Sequence, residues 1–180
     1  MSLAARLLVI YIALSTLADA APSKQALNQL RKQKTQLTID WKHYHISDAE
    51  PISLYGGKRR HFVTPTIYWG EGGYGAVSGK RAGYLEGGIF LGYQHAIFNS
   101  VLIDTRLFTG AGGGGSAPQG SGFIMHYTVG LGRQWTPAIS SLVETGYISF
   151  LNGNISSMTI GFNININYWD LIYEAPKHAI

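Results

Sequence analysis

Oppositely charged residues recur at alternate positions in segments that are predicted to be β-strands. Successive side chains of a strand point to opposite faces, so these residues share one face while large apolar residues occupy the other. A buried charge is costly unless it is paired. We therefore predict a hydrogen-bonded polar core of four acids and two bases, and a path for protons or ions is the functional alternative. The residues are Asp40, Lys42, Glu86, Asp104, Arg106 and Glu144.

The clearest alternation lies in the last predicted strand, residues 158–169. Large apolar side chains occupy every second position from Ile160 to Tyr168, and Gly161 and three asparagines stand between them. Asparagines on one face suit the water side of a soluble sheet or the lumen of a membrane barrel. In a barrel they would extend the polar core, as would Gln94 and His126. The three are Asn163, Asn165 and Asn167.

Four residues of this strand, Thr159, Gly161, Ile164 and Ile166, follow a pattern of polar, glycine, apolar and apolar positions. The pattern resembles the C-terminal signal that the outer-membrane assembly machinery recognises. That signal ends at an aromatic residue, whereas this chain continues through residues 170–180. The resemblance implies that the assembly machinery is a partner of this chain.

The N-terminal segment, residues 1–20, reads as a secretory signal peptide. Arg6 supplies a positive charge, residues 7–14 are apolar, and residues 18–20 read Ala-Asp-Ala, a small-x-small cleavage pattern. The apolar run is far shorter than the ~20 residues that a membrane-spanning helix needs. The rest of the chain is therefore predicted to leave the cytoplasm and to be periplasmic, secreted or in an outer membrane.

The composition excludes several other classes of protein. The chain has no cysteine, so it has neither a disulfide framework nor a thiolate metal site. Charged residues make up only 13% and apolar ones 46%, which is typical of a barrel with an apolar exterior. A net charge of +4 is too small and dispersed to indicate nucleic-acid binding. His43 and His45 share a face but lack a third ligand, so no metal or cofactor is predicted.

Eight strands are predicted, and the connections between them alternate in length. Longer connections at 48–51, 71–80, 111–121 and 152–154 alternate with tight turns, one of them the basic run of residues 58–60. This is the up-and-down arrangement of outer-membrane barrels, with both termini on the periplasmic side. Eight strands enclose room for side chains but not for a pore. The predicted strands are residues 35–47, 52–55, 62–69, 83–95, 101–110, 122–134, 138–150 and 158–169.

The predicted fold class is therefore all-β, an eight-stranded antiparallel up-and-down transmembrane β-barrel. Along the chain we expect the signal peptide at 1–20, a polar basic lead-in at 21–34, the barrel at 35–169 and a tail at 170–180. In the outer membrane such a barrel would contact lipid and lipopolysaccharide. The sequence leaves its oligomeric state open.

On the seventh predicted strand, Tyr147 and Ser149 stand two residues apart in the run Gly-Tyr-Ile-Ser-Phe. From residue 36 to residue 168 the layout of strands and turns resembles the small outer-membrane lipid A 3-O-deacylases, the acyloxyacyl hydrolase barrels. In that family a His-x-Ser-Asn motif on the seventh strand supplies the base and the nucleophile, and a glutamate on the last strand orients the histidine.

This chain departs from that motif at its catalytic positions. Ser149 corresponds to the nucleophile, but Tyr147 stands in place of the histidine and Phe150 in place of the asparagine. The last strand contains no acid before residue 170. A serine without a general base is a poor nucleophile. The resemblance therefore implies the architecture of the family and not its catalytic residues.

Three functions remain open at this stage. The first is a non-enzymatic outer-membrane barrel with a structural or surface-interaction role, which agrees with every feature above. The second is an acyl-ester hydrolase acting on lipid A or phospholipid, which the layout favours and the missing base opposes. The third is a soluble periplasmic barrel that binds a small apolar ligand, which would require its apolar face to point inward.

Overall fold

In a computed structural model the chain forms a closed barrel of eight strands arranged in sequence order. The structure describes residues 30–45, 50–77, 80–98, 100–117, 120–151, 153 and 156–173, and the predicted signal peptide lies outside these ranges. Each consecutive pair of strands is antiparallel, which confirms the predicted fold class. The strands are β1 (Leu30–His45), β2 (Ile52–Phe62), β3 (Ile67–Gly75), β4 (Leu85–Ile97), β5 (Val101–Gly113), β6 (Phe123–Gln134), β7 (Ile139–Phe150) and β8 (Ser156–Tyr173).

The chain divides into two compact units. Gln33–Asp170 form the barrel unit, and the terminal segments form the other, of which the structure describes residues 30–32 and 171–173. β1 begins at residue 30 and β8 ends at residue 173, so both strands are longer than predicted. In the described ranges no helix has the length and apolarity that would carry it across a membrane.

The second strand contains the residues that the sequence predicts to end it. β2 runs through Gly56, Gly57 and the basic residues 58–60, and the chain turns at residues 63–66 instead. The predicted basic turn is therefore wrong. Its correction matters for the interior of the barrel, because a longer strand sends two of these basic side chains inward.

Glycine is accommodated inside these strands because an aromatic ring from the neighbouring strand lies over it. Gly56 is the register partner of Tyr74, and a Cβ at Gly56 would lie 2.5 Å from Tyr74 Cδ1. Gly70 and Phe90 form the same arrangement, with 2.5 Å from a Cβ to Phe90 Cζ. Each ring fills the space that a side chain of the glycine would take. These glycines therefore belong to the strands and do not interrupt them.

Two predicted loops begin later than expected. β3 continues to Gly75 and β5 to Gly113, so residues 71–75 and 111–113 are strand. The predicted alternation of connections is nevertheless present, and it defines a loop end and a turn end of the barrel. The longer connections are residues 46–51, 76–84, 114–122 and 151–155, and the shorter ones are residues 63–66, 98–100 and 135–138.

The outer wall of the barrel is largely apolar. On β6 the outward side chains from Phe123 to Leu131 are all large and apolar, and β4 and β8 show the same alternation, as predicted. A soluble barrel with its apolar face inward is therefore the wrong reading of this chain. The exposed residues of β6 and β8 include Phe123, Met125, Tyr127, Val129, Leu131, Ile160, Phe162, Ile164 and Ile166.

Polar side chains join the last strand to the first inside the barrel. Thr38 Oγ1 donates a hydrogen bond of 2.7 Å to Asn165 Oδ1, and Gln36 Nε2 donates one of 2.8 Å to Asn167 Oδ1. Asn165 Nδ2 in turn donates to Asn163 Oδ1 at 2.9 Å. Two of the three asparagines of β8 thus accept hydrogen bonds from inward-facing residues of β1, and Asn163 is joined to them through Asn165.

Candidate functional site

The six charged residues singled out from the sequence all lie inside the barrel. Each is at most 4% exposed. They come from four strands that are not all neighbours, because β1 contributes Asp40 and Lys42, β4 Glu86, β5 Asp104 and Arg106, and β7 Glu144. The closed barrel brings these side chains together across its interior.

Two further bases complete this group, and the sequence reading missed them. Lys58 and Arg60 on β2 point inward and are buried. With them the buried group contains four acids and four bases among the residues that the structure describes, so its formal charges cancel. A signal was available in the sequence: four acids with two bases leave two buried carboxylates unpaired, which is costly. That imbalance predicts two further basic residues at inward positions.

Glu144 lies at the centre of the charged group. Its carboxylate accepts two parallel hydrogen bonds from Arg106, of 2.7 Å at Nη2 and 3.0 Å at Nη1. Lys58 Nζ lies 3.2 Å and Arg60 Nη2 lies 3.7 Å from Glu144 Oε1. The fork of an arginine matches a carboxylate geometrically, so this pair fixes the orientation of both side chains. One carboxylate therefore joins three cations from two strands.

The other three carboxylates also have a cationic partner each. Lys58 Nζ lies 2.8 Å from Asp40 Oδ2, Arg60 Nη1 lies 3.1 Å from Asp104 Oδ2, and Lys42 Nζ lies 3.6 Å from Glu86 Oε1. Lys42 Nζ also stands 3.4 Å from the centre of the Tyr74 ring. A cation over an aromatic face gains electrostatic energy where water is excluded.

Four tyrosine hydroxyl groups donate hydrogen bonds to these three carboxylates. Tyr44 and Tyr84 donate to Glu86, at 2.6 and 3.2 Å. Tyr74 donates to Asp40 at 2.9 Å, and Tyr68 donates to Asp104 at 2.8 Å. Buried tyrosines of this kind place an apolar ring and a polar tip in the same interior.

A cluster of buried apolar residues lies on the loop side of the charged group. These residues, part of a larger buried core, stand in or beside strand ends next to the longer connections: Tyr44, Ile52, Leu54, Tyr84, Ile124, Ile148 and Phe150. Each is at most 2% exposed. Buried apolar side chains lie near the turn end as well, among them Phe62 and Leu102, together with the asparagines of β8.

Ser149 and Tyr147, the residues suggested by the deacylase resemblance, lie on the outer face of β7. Ser149 Oγ lies 3.5 Å from Ser156 Oγ, and the register partners of Tyr147 are Tyr127 and Met158. Within the described ranges, no histidine or carboxylate forms a hydrogen bond with Ser149.

The histidine on the strand next to β7 faces the other way. His126 Nε2 lies 2.9 Å from Thr159 Oγ1 inside the barrel, and the ring stands edge-on to Tyr44. The other neighbour, β8, contains no histidine. The base that Ser149 would need is therefore not brought to it by either adjacent strand.

One histidine–carboxylate pair does lie on the outer wall. His61 Nε2 on β2 lies 3.3 Å from Glu71 Oε1 on β3, and the His61 ring stacks on Trp69 with 4.6 Å between the ring centres. The strands β8 and β1 separate this pair from β7, so it does not meet Ser149. The sequence reading missed the pair because it placed both residues near breaks in the strands.

No metal site is found among the residues that the structure describes, where no three histidine or carboxylate side chains form a suitable group. His43 instead places Nδ1 2.9 Å from Ser53 Oγ and stacks against Trp41 on the outer face.

Comparison with known proteins identifies the fold and no closer relationship. Neither a protein-family model nor a curated protein matches this sequence. Among solved structures, the N-terminal β-barrel domain of OprF from Pseudomonas aeruginosa is similar with a TM-score of 0.60 and 11% identity, over 77% of this chain and 100% of that one.

Two further barrels give the same result. Neisserial surface protein A has a TM-score of 0.50 and 10% identity, over 76% of this chain and 97% of that one. A de novo designed transmembrane β-barrel has a TM-score of 0.51 and 11% identity, over 74% of this chain and 95% of that one. At such identities the similarity shows the fold alone. The chain thus has the fold of a small transmembrane β-barrel, with outer-membrane barrels among its structural neighbours.

Proposed function

We propose that this chain is an outer-membrane β-barrel with a structural or surface-interaction role, whose lumen is plugged by polar side chains and does not conduct. The observation that carries the proposal is the charge pairing of the interior. Four acids and four bases, each at most 4% exposed, are joined by ion pairs across the barrel. A water-filled channel would leave such side chains hydrated and exposed.

The outer wall supports placement in a membrane. It carries the apolar residues of β4, β6 and β8, and aromatic side chains stand close to the turn end of the barrel. Aromatic residues at the edges of an apolar band are typical of transmembrane barrels. Exposed aromatic residues at this end include Trp69, Tyr93, Phe98, Trp135, Tyr168 and Trp169.

The partners that follow from this proposal are outer-membrane lipid, lipopolysaccharide and the assembly machinery. On β8, Ile164 and Ile166 face outward while Thr159 and Gly161 face inward. This orientation supports a role for these four residues as an assembly signal, because the two apolar positions remain accessible to another protein before lipid covers them. The N-terminal segment 1–20 is proposed to direct export and to be removed.

We expect the purified chain to give no discrete conductance steps in a planar lipid bilayer. The ion pairs between Arg106 and Glu144 and the apolar cluster at the loop end leave ions no continuous hydrated path. The measurement is the current through a bilayer after insertion of the wild-type chain. Insertion is verified separately by gel electrophoresis, in which the mobility of the folded chain changes on heating.

A matched pair of variants sharpens this test. Replacing both Arg106 and Glu144 with alanine is expected to create a leak, because it removes the central ion pair of the interior. Val143 lies next to Glu144 on β7 but faces outward, so Val143→Ala is expected to leave the bilayer sealed. Steady, ohmic steps from the wild-type chain would contradict the proposal that the lumen is plugged.

We also expect no lipid A deacylase activity. Ser149 has Ser156 as its hydrogen-bond neighbour, and Tyr147 stands where the resemblance requires a base. The measurement is mass spectrometry of lipid A from cells that overproduce the chain. Loss of one 3-hydroxyacyl chain with the wild type, and its retention with Ser149→Ala, would establish the hydrolase and refute this expectation.

A further inference from the structure

The outer wall is not uniformly apolar: besides outward histidines on β1, β2 and β4, it carries an arginine on β2 and a glutamate on β3. Arg59 and His61 on β2 and Glu71 on β3 occupy outward positions. The side chains of Arg59 and Glu71 are 43% and 47% exposed. On β5 to β8, the described outward positions carry acidic or basic side chains only at strand ends beside the turn end, namely Arg133 and Asp170.

Glu71 lies inside the apolar band, and its register partner Arg59 forms an ion pair with Asp170 near the turn end. Glu71 is the middle residue of β3, and its register partner on β4 is the exposed Ile89. Arg59 is the register partner of Leu37 on β1, which is also exposed. Charged side chains that face lipid at this depth destabilise a barrel. Something other than acyl chains is therefore expected to cover this part of the wall.

Pairs within the chain neutralise the charges without covering them. Arg59 forms an ion pair with Asp170, and His61 lies 3.3 Å from Glu71. Nearly half of each of the two central side chains, Arg59 and Glu71, still remains exposed. Both groups can therefore accept a second partner from outside the barrel.

The wall beside these charges leaves room for close approach. Gly73 and Gly87 are outward register partners, and a Cβ on either would have its nearest neighbour at 3.7 or 3.6 Å, an ordinary contact. The barrel itself therefore accepts alanine at both positions, in contrast to Gly56 and Gly70. Without side chains, the two residues let another backbone come near this wall, as small residues do at membrane interfaces.

We infer that the β2–β3 face, defined by Arg59, His61, Glu71, Gly73 and Gly87, is the contact surface between two copies of this chain in the membrane. The face is self-complementary in charge, because Arg59 and Glu71 are register partners on adjacent strands. A two-fold axis parallel to the barrel, running between β2 and β3, sets Arg59 of each copy against Glu71 of the other. Such a reciprocal contact is what a symmetric dimer requires. The inference rests on the proposed placement in a membrane.

Charge reversal in separate copies tests this arrangement. Arg59→Glu and Glu71→Arg are each expected to weaken self-association in lipid vesicles about tenfold or more, because like charges then face each other. Mixing the two variants is expected to restore association, because each reversed residue then meets its opposite in the other copy. The measurement is energy transfer between donor- and acceptor-labelled chains, with dyes on a cysteine introduced by Lys80→Cys in a loop.

Two leucine substitutions provide a matched pair that leaves the charges intact. Gly73→Leu on the proposed face is expected to abolish energy transfer, and Thr145→Leu on the outer face of β7 is expected to preserve it. Insertion of every chain is checked first by its resistance to extraction from the vesicles. A wild-type chain that does not insert would contradict the proposed function. A wild-type chain that inserts without energy transfer, or variants whose mixture stays dissociated, would overturn the inferred dimer alone.

Discussion

Replacing Glu144 with leucine is expected to destabilise the folded barrel by about 3–5 kcal/mol, because it leaves buried cations without their shared carboxylate. Glu144 binds Arg106 through two hydrogen bonds and lies within 4 Å of Lys58 and Arg60. Its removal turns a balanced interior into one with an excess positive charge. The measurement is the free energy of unfolding in urea for the chain in lipid vesicles. At each urea concentration, the folded fraction is read from the electrophoretic mobility of the folded chain.

The double variant Glu144→Leu with Arg106→Met is the informative control. Replacing both members of a buried ion pair by apolar residues of similar size is often neutral, whereas removing one is strongly destabilising. The double variant is therefore expected to unfold at a higher urea concentration than Glu144→Leu alone. If the single variant costs less than about 1 kcal/mol, the typical net value of one hydrogen bond, the charged group does not hold the interior together.

Replacing Ile160 with arginine is expected to cost about 2–4 kcal/mol, the range for a basic residue facing lipid at the middle of a membrane. Ile160 is outward and 50% exposed, and its register partner is Thr145 in the middle of β7. Ile139→Arg changes the same residue type at the first position of β7, beside a short turn. There the cost is expected to fall to about 0–1 kcal/mol, because the edge of the membrane tolerates charge.

The measurement for this pair is the free energy of folding into vesicles of one lipid composition, with the wild-type chain as reference. The difference between the two losses of folding free energy measures how deep each residue lies in the membrane, since both variants carry the same substitution on the outer wall. Equal losses for Ile160→Arg and Ile139→Arg would show that the wall around Ile160 does not face lipid.

The sequence was sufficient to predict the fold where the period of two is unbroken. The alternation on β4, β6 and β8 predicts their faces, because one residue of slippage would reverse every side chain. The prediction from sequence failed on β2, because Gly56 and Gly57 are residues that commonly end a strand. Whether Tyr74 packs over Gly56 depends on the register between β2 and β3, which a single strand does not reveal.

The candidate site was predictable to a similar extent. Alternation sends Asp40, Asp104 and Glu144 inward, but their partners come from strands distant in sequence. Lys58, for example, joins Asp40 to Glu144 across the barrel only because β2 continues past the glycines. The pairing of His61 with Glu71 likewise follows from register and not from spacing along the chain.

The central claim is a membrane-spanning barrel whose interior is packed with polar side chains. It is tested most directly by the rate at which a small water-soluble thiol reagent modifies single cysteines placed at each residue from 159 to 166. The chain has no cysteine of its own, so each reaction reports one position. In lipid vesicles, slow modification is expected at all eight positions, since alternate residues face lipid and the packed interior, while a cysteine at residue 80 in a loop reacts rapidly. Rapid reaction at the inward positions would reveal a water-filled lumen, and rapid reaction at the outward positions would show that the wall does not face lipid.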